Sequence, residues 1–354
     1  PLPFMLNDDS VGEEIRLKYR YLDLRSKRLQ DNLILRQKFY KAIHEAMDKE
    51  GFLYFDTPIL YKSTPEGARD YIVPSRVHPG KFYALPQSPQ LFKQLLMMAG
   101  YDRYYQIARC FRDEDTRADR QPEFSQLDVE MAFIDREDII HSMESVIAYV
   151  YKTAFGITLK TPFSRMSYDD AMKKYNSDKP DIRKKGEDFA FLWVLDFPMF
   201  EWRPEDKRWY AMHHPFTSPM PGSNFAKPET IRAKAYDLVL NGVEIGGGSI
   251  RIHDKETQSK VFNVLGITDK EAHEKFGFLL DALSHGAPPH GGIAFGLDRI
   301  MQIMTGSKSI REVIAFPKNQ TAQDVMLDTP SDVTAKRLAE AHIKVDVKED
   351  KKKK

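Results

Sequence analysis

The sequence predicts an α+β fold built on a largely antiparallel sheet. Three observations carry that expectation. Short apolar runs of strand length fall between amphipathic helical stretches without strict alternation. Asn241-Gly242 sits between two apolar runs in Ala235–Ile245, a strong signal for a two-residue hairpin. From Phe124 onward the residues alternate: Phe124, Gln126, Asp128 and Glu130 fall on one face, and Leu127, Val129, Met131 and Phe133 on the other. There is no Gly-rich dinucleotide fingerprint and no P-loop.

Composition narrows the class. With 354 residues, 30% charged, 42% hydrophobic and a net charge of +1, the chain reads as a soluble globular protein with a well-filled core. The balanced charge leaves nucleic acid open as a partner. Cys110 is the only cysteine, which excludes intrachain disulfides and thiolate zinc sites. No apolar run spans a bilayer and no signal peptide is visible, so the expectation is a cytoplasmic protein with no membrane partner. The start at Pro1 rather than Met reads as an excised fragment.

In chain order, Ser10-Val-Gly-Glu13 matches a capping box ahead of a short helix. A long helix follows from about Ser26 to Glu50, stopped by Gly51, with Leu29, Leu33, Tyr40, Ile43 and Met47 as its apolar stripe. Phe52–Phe55 and Phe82–Leu85 read as strands. Ser88-Pro89 opens a helix through Met97. Arg109–Met131 reads as strand, charged loop, strand, and Arg136–Lys152 as an amphipathic helix. Asp178–Gly186 is polar and turn-rich, the best candidate for a seam. Phe191–Leu195 is a buried strand, and the tail from about Lys344 is dense in charge.

Three constellations carry chemistry. In the first, Arg112, Arg117 and Arg120 lie among Asp113, Glu114, Asp115 and Asp119. Guanidinium forks match phosphate oxygens, although such loops are also often just solvated. In the second, the hairpin register puts Val239 opposite Glu244, so Asp237 and Glu244 share a face within reach of one ion. Oxygen-only ligands favour magnesium bridging to phosphate; an exposed acidic pair is the alternative. In the third, a short strand passes through Gly296 into a helix with Arg299 in its first turn, an anion site unless the arginine is structural. Simple alternation turns Arg251 away from Glu244; a bulge in Gly246-Gly-Gly248 would reverse that. His213-His214 reads as adjacent strand residues on opposite faces, which do not chelate together.

Phe111–Asp128, reading Phe-Arg-Asp-Glu-Asp-Thr-Arg-Ala-Asp-Arg-Gln-Pro-Glu-Phe-Ser-Gln-Leu-Asp, resembles the second signature motif of class II aminoacyl-tRNA synthetases. More narrowly, it resembles the bacterial-type aspartyl-tRNA synthetase family, over nearly the whole chain. The helix-strand-proline run before Pro58 resembles the family's first motif, and Gly291–Gly306 its third. The resemblance implies a class II synthetase-like antiparallel sheet flanked by helices, spanning residues 1–343, with a charged tail at 344–354. It implies ATP and L-aspartate as substrates, Mg²⁺, contact with the tRNA acceptor end, and a homodimer through about residues 26–58.

The resemblance also distributes roles. Arg112 would hold the α-phosphate and substrate carboxylate, and Arg299 the γ-phosphate. Glu114 and Gln121 would read adenine or neighbouring atoms, with Phe124 stacking on the base and Gly296 lining the nucleotide. Asp237 and Glu244 would hold Mg²⁺. Glu66, Gln90 and Asp128 would surround the substrate ammonium. Lys93 and Arg251 would pair with the side-chain carboxylate, and His213 would contact the aspartate. Two departures from the family pattern are expected: the sequence starts after the stretch that would match the family's anticodon-reading barrel, and only Lys184–Phe191 remains where the bacterial type carries an insertion domain. An ammonia-dependent asparagine synthetase on the same fold and a non-catalytic paralogue are the alternatives.

Overall fold

The computed structural model describes residues 2–6, 8, 10–64 and 67–346. Glu66 and the tail from residue 347 onward lie outside the described residues. Eight strands make one sheet: β1 (Leu53–Tyr54), β2 (Arg103–Phe111), β3 (Glu123–Ala132), β4 (Ser164–Ser167), β5 (Phe191–Leu195), β6 (Ala235–Leu240), β7 (Val243–Ile250) and β8 (His290–Gly296). Their order across the sheet is β1-β2-β3-β8-β7-β6-β5-β4. Only the outermost pairs, β1 with β2 and β4 with β5, run parallel. The expected antiparallel α+β architecture is therefore present.

One face of the sheet is greasy and covered by helices. Leu127, Val129 and Met131 of β3, Ile293 and Phe295 of β8 and Trp193 of β5 pack there. Against them lie α1 (Lys27–Lys49), α3 (Arg136–Val150) and α5 (Leu297–Thr305). Ser26 and Glu50 flank α1, and Gly51 takes the positive φ of 74° that ends it. The stripe of α1 includes Phe39, Ala42 and Ala46 besides the residues expected. Ahead of α1, the capping box expected at Ser10 is absent: the short helix Glu13–Lys18 begins after Gly12, and the Ser10 hydroxyl donates to Asp8 instead.

The other face is polar over its central strands. It is flanked by α2 (Gln90–Met98) and α4 (Asp269–Ser284), which bury Leu91, Phe216, Phe276 and Leu279 between them. The segment 176–190 has no regular structure and is tied to the hairpin tip: Asn241 accepts from Ala190 N–H and donates to the Asp188 carbonyl. No helix among the described residues is long and apolar enough to cross a membrane.

Candidate active site

The polar face of β3, β7 and β8 forms the floor of a cleft of about 760 Å³. At one end lies a charge cluster sealed from water. Lys93 of α2 reaches Asp128 at 3.2 Å and Glu130 at 3.5 Å; all three are 1% exposed or less. Arg251 grips Glu130 through Nε at 2.9 Å and Nη2 at 3.1 Å. Its Nη1 donates to the Ser249 hydroxyl at 2.7 Å and lies 2.5 Å from His214 Nε2. Charges this deep are tolerable only because each is paired and hydrogen-bonded. Burial pushes the Glu130 carboxyl up, but Arg251 and Lys93 overcome that and hold it below its ordinary range. For Asp128 burial wins over Lys93, and its pKa is raised. Its Oδ2 is buried without a partner. Burial and Arg251 push His213 down to about 4 and His214 well below its usual value, so both rings are neutral at pH 7.

Arg251 reaches this cluster because β7 is bulged. Val239 pairs with Glu244, but Leu238 pairs with Gly246, leaving Ile245 as the extra residue. The bulge precedes the glycine run rather than lying in it. It has the expected consequence: Glu244, Gly247, Ser249 and Arg251 all face the cleft. A Cβ at Gly247 would sit 2.7 Å from Asp237 Oδ1 and 3.6 Å from Glu244 Oε1, so only glycine leaves both carboxylates room.

The opposite end is more open. Arg112 stands over the Phe124 ring at 5.1 Å, with its Nε buried and unpartnered. Arg299 donates to the Glu244 carbonyl at 3.0 Å and lies 3.6 Å from Asp119. Glu114 is exposed and 3.5 Å from Arg120. Asp237 Oδ1 is sealed without a partner, and burial, Glu244 and Asp178 raise its pKa well above the ordinary value. Two carboxylates facing one space, one oxygen orphaned, fit a hard divalent cation that completes its shell with water or phosphate. No cluster of three metal-binding side chains occurs among the described residues.

The family description "tRNA synthetases class II (D, K and N)" matches residues 12–320. The chain belongs to the class II tRNA synthetases. Among similar proteins, an aspartate–tRNA(Asp/Asn) ligase of Symbiobacterium thermophilum is 42% identical, covering 98% of this chain and 81% of the relative. An aspartate–tRNA ligase of Thermosipho africanus is 44% identical, covering 98% and 81%. The first of these alignments spans 482 residues, more than this chain contains, so the relative carries internal segments missing here. In fold the chain resembles an asparaginyl-tRNA synthetase of Pyrococcus horikoshii complexed with asparaginyl-adenylate, with a TM-score of 0.72 and 22% identity over 89% of this chain and 74% of that one.

Within this synthetase cleft the structure gathers Gln90, Lys93, Arg112, Glu114, Gln121, Phe124, Asp128, His213, Asp237, Glu244, Arg251, Gly296 and Arg299. Three details depart from the sequence reading. Gln121 lines the cleft with both ends of its amide also bound to the Lys318 backbone, donating at 3.0 Å and accepting at 2.8 Å, an anchor the sequence reading did not foresee. His213 lies in a bend and His214 in irregular chain after it, neither in a strand, and both line the cleft. Glu130, His214, Ser249 and Asp178 were missed. Glu130 carried a signal, since it shares the alternating polar face with Asp128. Asp178 fell in the stretch taken for a seam.

Proposed function

We propose that this chain is an aspartate–tRNA ligase that makes aspartyl-adenylate from L-aspartate and ATP, then transfers the aspartyl group to the 3′ end of tRNA. The observation that carries this reading is the sealed end of the cleft. Asp128 Oδ2 awaits a cation, while Arg251 and Lys93 offer positive charge to an anionic side chain. Asparagine would offer those cations a neutral amide in place of a further carboxylate, and lysine would bring a second ammonium against them.

In the first step the α-carboxylate of aspartate attacks the α-phosphorus of ATP in line. A C–O–P bond forms, the α–β anhydride breaks, and pyrophosphate leaves. Arg112 neutralises charge on the α-phosphate, and Arg299, at the first turn of α5, holds the outer phosphates. Phe124 stacks on adenine, Glu114 and Gly296 border the nucleotide, and Gln121 ties the loop ahead of β3 to the Lys318 backbone. Asp237 and Glu244 would hold Mg²⁺, which supplies further charge neutralisation on the phosphates. Gln90, Asp128 and Glu66 take the ammonium; His213 and His214 close the amino-acid pocket. In the second step the terminal ribose hydroxyl attacks the acyl carbon, AMP leaves, and the hydroxyl proton passes to solvent. No side chain forms a covalent intermediate.

The decisive experiment is pyrophosphate exchange into ATP with aspartate, asparagine and lysine in parallel. Exchange with aspartate alone supports the reading; exchange with asparagine or lysine alone sinks it. Asparagine appearing when ammonia is added would favour a synthetase of the free amino acid. Charging tRNA-Asp beside tRNA-Asn then settles which tRNA is accepted. A homodimer through residues 26–58 is supported by exposed Leu53, Tyr54, Ile59 and Leu60 at and just after the open edge strand β1, and by exposed Ile34 on α1. Sedimentation at micromolar concentration tests it. The segment Lys184–Phe191 reads as the remnant of an insertion domain, supported by the longer internal span of the relatives. A cytoplasmic location follows from the same reading.

A further inference from the structure

Behind the amino-acid end, two buried side chains with no part in the reaction, His290 and Gln94, form a directional chain that ends on Gln90. His290 opens β8; its Nδ1 lies 2.8 Å from the Pro288 carbonyl oxygen and its Nε2 lies 3.1 Å from the Gln94 amide. Gln94, one turn along α2, accepts a hydrogen bond from the Gln90 amide at 3.1 Å. The polarity of this chain is dictated by chemistry. A carbonyl only accepts, so Nδ1 carries a proton. A neutral ring then has a bare Nε2, which only accepts, so Gln94 must turn its NH₂ toward the ring. The oxygen of Gln94 therefore faces Gln90, which must offer its own NH₂. What remains of Gln90 for the cleft it lines is its amide oxygen and the second N–H of its amide, with the oxygen the only acceptor left for a cation.

We propose that His290 and Gln94 are positioning residues that lock the Gln90 amide with its oxygen toward the substrate ammonium. This rests on the aspartate-activating reading above. An unrestrained glutamine presents either end, and the wrong one aims N–H donors at a cation. The lock holds while the ring is neutral. Burial lowers its pKa; Glu130 of β3 and the Pro288 carbonyl oppose this, Arg251 and His253 add to it, and the net shift is downward. Protonation would put N–H on Nε2 and reverse each bond in turn, leaving the NH₂ of Gln90 toward the cleft.

The test measures KM for aspartate and for ATP in pyrophosphate exchange between about pH 5 and 8, in the wild type and in Gln94→Met. In the wild type the aspartate KM is expected to rise at least about threefold at the acid end, with the ATP KM changing less. Gln94→Met should raise the aspartate KM about tenfold at pH 8, leave the ATP KM within about twofold, and flatten the acid rise. A wild-type aspartate KM in the variant, or both KM values rising together as a packing defect would cause, overturns the proposal. A second measurement needs no turnover: ¹⁵N-histidine NMR of the wild type, with His290 assigned from His290→Gln. A proton on Nδ1 and a bare Nε2 supports the relay, and the opposite tautomer overturns it. Absence of any aspartate-dependent exchange in the wild type would speak against the ligase reading, while the tautomer still decides the relay.

Discussion

At the amino-acid end of the cleft, Lys93, Asp128, Glu130 and Arg251 are at most 2% exposed, and each has an opposite charge within 3.5 Å. At the nucleotide end, Arg112, Glu244 and Arg299 are half-buried, and the interactions they make are fewer. Charges in the sealed end interact in a medium far less polarisable than water, so replacing one of them is costly. Charges in the open end are screened by solvent and salt. The contrast matches what each end must do. Choosing one amino acid over its near-isostere demands a rigid, dry pocket, whereas holding a flexible triphosphate demands reachable donors that adjust.

The sharpest way to break the comparison is Arg251→Leu. It removes the fork for the substrate carboxylate and strands Glu130 as a buried, half-compensated charge. Transition-state binding should fall by at least about 3 kcal/mol, read as kcat/KM in aspartate-dependent exchange. Normal activity in this variant would mean the sealed cluster is scaffolding and the specificity lies elsewhere.

Arg299→Ala probes the open end and should cost less, about 2 kcal/mol, concentrated in ATP. Because Arg299 keeps 29% of its side chain in solvent, its contribution should shrink as salt is raised. Measuring kcat/KM for ATP at low and high ionic strength separates the two ends. A salt-independent loss as large as that of Arg251→Leu would erase the distinction drawn here. Phe124→Leu should be milder still: about 1 kcal/mol of lost stacking, seen as a roughly fivefold rise in the ATP KM with the aspartate KM unchanged.

Much of this layout is legible in the sequence, because short-range rules fix it. Asn241-Gly242 sets the β6–β7 register, and that register places Asp237 beside Glu244. The alternation from Phe124 gives the two faces of β3. What the sequence conceals depends on contacts between distant residues. Gln121 is claimed by Lys318, 197 positions away, through backbone groups that leave no compositional trace. The bulge was expected among the glycines, where the backbone is freest, but sits at Ile245, where the apolar side chain finds the helix-covered face. Glu130 was read as one more polar residue on a face, since its value depends on Lys93 and Arg251 converging on it from α2 and the end of β7. The two histidines fall on opposite faces only if they lie in a strand, and Pro215, with no N–H to give a ladder, helps to rule that out.

The smallest expected effect lies at Asp237, in the nucleotide end. Burial, Glu244 and Asp178 hold its pKa above the unfolded value. Between the unfolded and folded pKa the native state therefore binds more protons than the unfolded chain, so stability falls as pH rises through that window. Below about pH 4, where both states are protonated, the penalty is absent. Asp237→Asn removes the ionisation without changing the shape. The variant should therefore be more stable than the wild type at pH 7 by about 1 kcal/mol, a shift of roughly 2 °C in Tm, and the gap should close on acidification. Millimolar Mg²⁺ should stabilise the wild type and not the variant, because a cation between the carboxylates favours the native state. Thermal unfolding at several pH values, with and without Mg²⁺, reads both effects. If Asp237→Asn left Tm unchanged and the wild type ignored Mg²⁺, the acidic pair would hold no cation, and the open end would hold its phosphates with arginines alone.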